Sequence, residues 1–300
     1  MASDLSEDGR PRARAALEKA RLIGEAVIFR HTLFSLPFAL AAVLLDTGGR
    51  PSAWKLAWIV VAAVAGRNAA NAINRVVDRD IDTANPRTAS RHLPAGRLSP
   101  RDLRLFAAAM LALLALAAAA LGPLCLALLP LAGAAILGYS YSKRFTWLCH
   151  YWLGAACAIA TMGSFIALSG RLFELRFFAF SSAVALWVAG FDIVYALQDI
   201  EVDRAQGLHS VPERFGAGRA RMIAALTHGA ALLLLASAPL FWGLGAPYFV
   251  GLGLAAALLA AEHLIALGGT ERHIRIAAYG INEIVPLVVL AAVAVDLYLV

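Results

Sequence analysis

Long apolar runs govern what this 300-residue chain can become. Nine of them lie at about 26–46, 54–77, 102–121, 123–142, 148–169, 177–199, 219–242, 246–267 and 277–298. Each is long enough to cross a bilayer core, which takes roughly 20 apolar residues per helix. The runs are rich in Leu and Ala and lack the alternation of membrane strands, so they predict helices rather than a barrel. Gly122-Pro123 and Gly245-Ala246-Pro247 mark two very tight turns between successive runs. Composition agrees, with 61% of residues apolar, 15% charged and a mean hydropathy of +0.72. Soluble domains are about half apolar and about a quarter charged, and disordered chains are more polar still, so both classes are excluded. The expected fold is all-α: one polytopic bundle of about nine transmembrane helices around a central cavity.

The sparse charges set an orientation. Of 26 Lys and Arg residues, 20 share one side of the bilayer if the N-terminus is cytoplasmic, and only Arg50, Lys55, Arg171 and Arg176 fall on the other. This is the positive-inside bias. It predicts a cytoplasmic N-terminal segment over 1–25, a single membrane domain over 26–300, and an external C-terminus. The net charge of +6 is thereby read as topology, with no nucleic-acid partner. No cleavable leader is expected, because the first apolar run carries Arg30 and His31. Cys125, Cys149 and Cys157 have no paired spacing and read as small buried hydrophobes. His92 and His209 lack the spacing of a zinc site.

Two polar stripes interrupt this apolar background. Arg67, Asn71, Asn74, Asp78 and Asp82 recur at steps of three and four, which places them on one helix face. Asp192, Tyr195, Asp199 and Asp203 do the same. The Asp78–Asp82 cluster closes the second run and the Asp199–Asp203 cluster closes the sixth, 121 residues later, as in a pseudo-repeat. Polar groups at membrane depth are expensive, so such stripes are expected to line a cavity. Four carboxylates around one cavity repel one another unless a cation sits between them. Hard oxygen donors suit Mg²⁺, which keeps several waters and bridges carboxylates to substrate phosphates. Arg87 and Arg91 follow the first cluster and Lys143-Arg144 opens a neighbouring loop, and all four fit phosphate binding. Asn282 and Glu283 in the last run are further site candidates, as is His31, none with a motif to place it. Asp80 and Glu201 fall off the stripes and are expected to face solvent or stand behind the ligands.

The motifs resemble those of one family. Asn74-Arg-Val-Val-Asp78-Arg-Asp-Ile-Asp82, followed by Arg87-Thr-Ala-Ser-Arg91-His-Leu-Pro-Ala-Gly96, resembles the first signature of the UbiA intramembrane aromatic prenyltransferases. Tyr139-Ser-Tyr-Ser-Lys143-Arg144 and Asp192-Ile-Val-Tyr195-Ala-Leu-Gln-Asp199-Ile-Glu-Val-Asp203 resemble the later ones. The segments Arg30–Phe38 and Gly207–Gly216 resemble a 4-hydroxybenzoate polyprenyltransferase-like branch that includes enzymes of the futalosine route to menaquinone. The resemblance implies a membrane enzyme, placed in a bacterial inner membrane, that joins a polyprenyl diphosphate to a phenolic aromatic acceptor. It implies Mg²⁺ on Asp78, Asp82, Asp199 and Asp203, and diphosphate contacts from Asn74, Arg87, Arg91 and Lys143. Asp192, Arg144 and Tyr195 would stand near the reacting centre. Many members carry Asp after the first Asn, where this chain has Arg75, to which no site role is given. Membrane lipid is the surrounding partner, and no obligate protein partner is expected. Other family acceptors (1,4-dihydroxy-6-naphthoate, homogentisate, a tetrapyrrole) are alternatives, and an ion-coupled transporter is a more distant one.

Overall fold

Proline and glycine punctuate the chain, and the helices start where they stand. The computed structural model describes residues 9–27 and 32–299, and every regular element among them is helical. In order these are α1 Gly9–Ala26, α2 Thr32–Thr47, α3 Ala53–Val77, α4 Arg79–Ala84, α5 Pro100–Leu121, α6 Pro123–Ser142, α7 Cys149–Ser169 and α8 Leu175–Ala196. There follow α9 Ile200–Ala205, α10 Val211–Ala236, α11 Ala238–Trp242, α12 Ala246–Ala266, α13 Glu271–Arg275 and α14 Val285–Leu299. A 3-10 turn, Leu197–Asp199, joins α8 to α9, and a π-helical segment, Ile276–Ile281, follows α13. Pro100, Pro123, Pro212 and Pro247 occupy the first turns of their helices, where the missing N–H costs nothing. Ser99 and Asp102 form a reciprocal capping box at α5. Gly122, at φ +134°, makes the one-residue turn into α6 that a side chain would strain.

Eight described helical stretches are long and apolar enough to cross a bilayer, and Phe34–Thr47 is a further, shorter apolar helix. The protein is therefore an integral membrane protein of about nine spans, as expected. The first run differs in its start. Ala26 closes the separate basic helix α1, which packs Leu22, Ile23, Ala26 and Val27 against Leu93, Leu98 and Leu103. Ala26 and Val27 are apolar on either assignment, so hydropathy alone does not separate them from the following helix.

In lipid the tails are as apolar as Leu, so helices associate through close packing rather than through hydrophobic gain. The largest core gathers Phe34, Phe38, Phe165, Phe177, Phe180 and Trp187 from α2, α7 and α8. Phe165 and Phe177 stack at 4.5 Å between centroids. A Cβ at Gly154 would lie 2.1 Å from the carbonyl oxygen of Ala185, so only glycine lets α7 and α8 approach this closely. That approach sets the distance between His150 on α7 and Asp192 on α8. Leu131, Leu233, Leu240 and Val250 point outward, as a lipid-facing surface requires.

Candidate active site

Each polar stripe is carried across a helix break. The α3 helix stops at Asp78, whose backbone (φ −93°, ψ 9°) leaves the helical region, and α4 starts at the next residue. The α8 helix passes into the 3-10 turn that ends at Asp199, and α9 follows. The single helix expected for each stripe is thus two, with the one-turn spacing kept: Asp82 N–H donates to Asp78 O at 2.7 Å. Acidic residues fill the first turn of both short helices, Asp80 and Asp82 in one and Glu201 and Asp203 in the other, where the helix dipole favours them.

Both stripes face one cavity of about 250 Å³. Asn74, Asp78, Asp82, Arg87, Arg91, Lys143, Asp192, Tyr195, Asp199 and Asp203 all line it. Arg144 does not. Its guanidinium lies behind Asp78, donating to Val77 O and Ser140 O at 2.8 Å and to Asp78 Oδ1 at 3.2 Å. Its place is beside a motif carboxylate, away from the cavity surface, because the chain turns just after Lys143. Asp80 and Glu201 are exposed, as expected.

The carboxylates are individually held. Asp78 accepts from Asn74 at 2.8 Å and pairs with Lys143 Nζ at 2.7 Å. Asp82 takes Arg91 on both oxygens, at 2.7 and 2.9 Å, with Arg75 at 3.4 Å. Asp199 takes Arg87 in a forked pair, the shortest contact being 2.6 Å, and Asn85 donates to it at 3.0 Å. Arg87 also donates to the Tyr195 hydroxyl. Burial alone would lower the Arg87 pKa, but Tyr195 and Asp199 outweigh it and hold the pKa above its ordinary value. Asp203 accepts from Ser210 Oγ at 2.8 Å. Deeper along the stripes, His150 lies 2.7 Å from Asp192, and Arg67 donates to the Cys157 sulfur at 2.8 Å.

The loop between α4 and α5 brings the halves together. Asn85 Oδ1 accepts from Arg87 N–H at 3.0 Å, an Asx turn that aims Arg87 across the cavity at Asp199. Thr88 Oγ1 donates to Asp82 O at 2.8 Å and pins the same loop from below. Among the described residues no group of three or more His, Cys, Asp or Glu side chains forms a ready-made metal cage. The donors still fit Mg²⁺, because two separated pairs of hard carboxylate oxygens suit an ion that is completed by waters and substrate phosphates.

Several candidates fall elsewhere. Asn282 is fully buried, accepting from Trp187 Nε1 at 2.8 Å and donating to Ala277 O and Ala278 O at 3.3 Å. It satisfies the carbonyls of the π-helical segment and does not line the cavity, and neither does Glu283. Arg30 and His31 lie outside the described residues. The cysteines are unpaired; Cys157 is buried, while Cys125 and Cys149 are half-buried and Cys149 lines the cavity. Arg75, to which no site role was given, lines the cavity and ties Asp82 to Ala26 O, 3.2 Å from its Nε. Asn85 went unread in the sequence, where the Asn85-Pro86 pair signals a turn but not a partner for Asp199. His150 carried no sequence signal.

The UbiA prenyltransferase family model matches residues 35–284. The chain belongs to the UbiA prenyltransferase family. Its relatives include the 4-hydroxybenzoate octaprenyltransferase of Saccharophagus degradans, 32% identical over 92% of this chain and 89% of that protein. The enzyme of the same name from Cupriavidus necator is 33% identical over 88% of this chain and 92% of that protein. Among solved structures, a UbiA homolog from Aeropyrum pernix K1 superposes with a TM-score of 0.81 at 34% identity, covering 89% of this chain and 98% of that one. A UbiA homolog from Archaeoglobus fulgidus bound to GPP and Mg²⁺ shares the fold, with a TM-score of 0.65 at 20% identity over 91% of this chain and 99% of that one. The chain is thus a membrane-embedded prenyltransferase.

Proposed function

We propose that this prenyltransferase moves a polyprenyl group from its diphosphate onto a carboxylated phenol of the 4-hydroxybenzoate kind, with Mg²⁺, in quinone biosynthesis. One observation carries the reading. The cavity that gathers both acidic pairs also exposes Arg67, which among the described residues has no carboxylate partner and whose Nε has no hydrogen-bond partner. A half-buried guanidinium left without a counter-ion is costly, and a carboxylate is its best complement. Arg67 precedes Asn74 by seven residues and Asp192 precedes Asp199 by seven. At 1.5 Å per residue both lie roughly 10 Å deeper than the diphosphate end. An aromatic acid bound there would place its carboxylate on Arg67 and its phenol toward Asp192. The names of the relatives and the GPP and Mg²⁺ held by the Archaeoglobus homolog support the same substrates.

The chemistry follows from these positions. The bond between the allylic carbon and the diphosphate oxygen breaks, and its electron pair leaves with pyrophosphate. The ring carbon beside the phenol hydroxyl attacks the cation-like carbon, a C–C bond forms, and loss of the ring proton restores aromaticity. Mg²⁺, when bound, supplies positive charge to the leaving group. Asp78, Asp82, Asp199 and Asp203 would hold it. Arg87, Arg91 and Lys143, which sit on carboxylates here, would turn to the phosphate oxygens, with Asn74 beside them. Arg144 steadies Asp78, Tyr195 steadies Arg87, and Asp192 orients the phenol or takes its proton. Phe34, Val188 and Phe191 on the cavity wall keep out water that would capture the cation. The charge bias orients the acidic end and segment 1–25 toward the cytoplasm of a bacterial inner membrane. Residues 26–300 act as one domain, with the C-terminus outside.

The test is direct. Purified protein with Mg²⁺ and a polyprenyl diphosphate should release pyrophosphate and a C-prenylated product from 4-hydroxybenzoate or 1,4-dihydroxy-6-naphthoate. Arg67→Met should raise the acceptor KM. Equal turnover of a phenol lacking the carboxylate would overturn the role of Arg67. Solute uptake by proteoliposomes that needs no diphosphate would favour a transporter instead.

A further inference from the structure

His150, the second residue of α7, is buried at the cavity wall. Val211 N–H donates to its Nε2 at 3.2 Å. A ring nitrogen that accepts a hydrogen bond carries no proton, so the neutral imidazole bears its proton on Nδ1. That nitrogen lies 2.7 Å from Asp192 Oδ2 and donates to it. A backbone amide thus dictates the tautomer, and the tautomer fixes the carboxylate. With Nε2 occupied, His150 is placed to orient Asp192 rather than to take a proton itself, the arrangement by which a third group orients a base.

The chain of contacts continues. Val211 is the first residue of α10, and Ser210 before it caps that helix, its Oγ accepting from Glu213 N–H at 3.2 Å. The same Oγ donates to Asp203 Oδ2 at 2.8 Å. Asp192, His150, Val211, Ser210 and Asp203 are therefore linked through three hydrogen bonds and one peptide unit. His209 N–H donates to Lys143 O at 2.7 Å, which anchors this corner to the residue that pairs with Asp78. The close α7–α8 packing at Gly154, one turn beyond His150, keeps the imidazole in reach.

We propose that His150 is a positioning residue that couples the two ends of the cavity. It aims the Asp192 carboxylate at the acceptor, and its own aim is set by the helix cap that grips Asp203 at the diphosphate end. The inference rests on the prenyl-transfer reading of these two acids. Its consequence is that loading the diphosphate end firms the acceptor end.

Two variants of the full-length protein in detergent test this, with folding checked by size-exclusion and thermal melting. In His150→Gln the amide nitrogen donates to Asp192 and the amide oxygen accepts from Val211, whereas His150→Leu offers neither bond. The Leu variant should lose roughly 100-fold in kcat, the scale of a misplaced reacting group, and show a raised acceptor KM. It should also bind an unreactive prenyl thiolodiphosphate more weakly in the presence of Mg²⁺, measured by calorimetry. Gln should recover most of each loss. Ser210→Ala, distant from the acceptor, should raise the acceptor KM as well. The coupling is overturned if the Leu variant behaves as wild type, if folded Gln and Leu variants are equally impaired, or if Ser210→Ala leaves the acceptor KM unchanged. Should the Leu variant not fold, Ser210→Ala decides. Absence of prenylated product from the wild type would instead overturn the functional reading, while thiolodiphosphate binding by the variants still reports the coupling.

Discussion

Asp78 and Asp82 share four cations, Lys143, Arg144, Arg91 and Arg75, whereas among the described residues Asp199 and Asp203 share one, Arg87. Among the described residues the Asp203 carboxylate takes its hydrogen bond from a serine hydroxyl, that of Ser210. The two motifs are alike in backbone, each a broken helix with an acidic first turn, yet opposite in local charge. On the proposed function, the surplus of positive charge at the first would draw the diphosphate and the unbalanced negative charge at the second the divalent ion. Arg87, carried by the first motif's loop and seated on the second motif's Asp199, ties the two together. A shared backbone plan carries two different charge balances.

Removing one carboxylate from each side probes whether both are needed. Asp78→Ala and Asp199→Ala should each lower product formation on the order of 10³-fold, as loss of a key transition-state contact does, measured with labelled prenyl diphosphate in membranes. A variant at either motif that kept wild-type turnover would break the idea of a joint grip. Mutating the cations on each side sharpens it further. Arg91→Ala and Arg87→Ala should raise the KM for the prenyl diphosphate by roughly tenfold or more, because charge-assisted contacts to phosphate are worth about 1.5–3 kcal/mol.

The asymmetry itself makes a smaller but more discriminating prediction. Asp203→Asn should raise the Mg²⁺ concentration for half-maximal activity by about tenfold, in the range seen for groups around metal ligands. Asp82→Asn, already neutralised by Arg91 and Arg75, should raise it less. The reverse order would show that the free-state charges do not direct the ion. Least affected should be Asp80→Ala and Glu201→Ala, within about twofold of wild type, since exposed substitutions rarely exceed half a kcal/mol. A large loss in either would mean that its carboxylate reaches the cavity.

Much of this was legible in order along the chain. The apolar runs could be read because a backbone inside lipid must satisfy its own hydrogen bonds, which leaves helix as the form for such sequences. The stripes could be read because Asn, Asp and Arg at that depth require a cavity. Hydropathy did not show that α3 and α8 break at the motifs, since the three- and four-residue spacing survives the break. Nor did it show that Arg144 lies behind Asp78, that Arg75 joins Asp82, or that His150 backs Asp192. Those pairings cross from one helix to another, and residue type says nothing about which cation meets which acid.

The order of amino acids alone determined that this is a helical membrane protein with two acidic stripes, because helix formation and burial in lipid are governed by residues near one another in the chain. Tertiary structure alone decided that the stripes share one cavity, that the positive charge crowds one of them, and that an imidazole and a helix cap link its two ends. Those outcomes depend on how closely helices pack, and a contact such as glycine against a carbonyl at Gly154 has no trace in hydropathy or spacing.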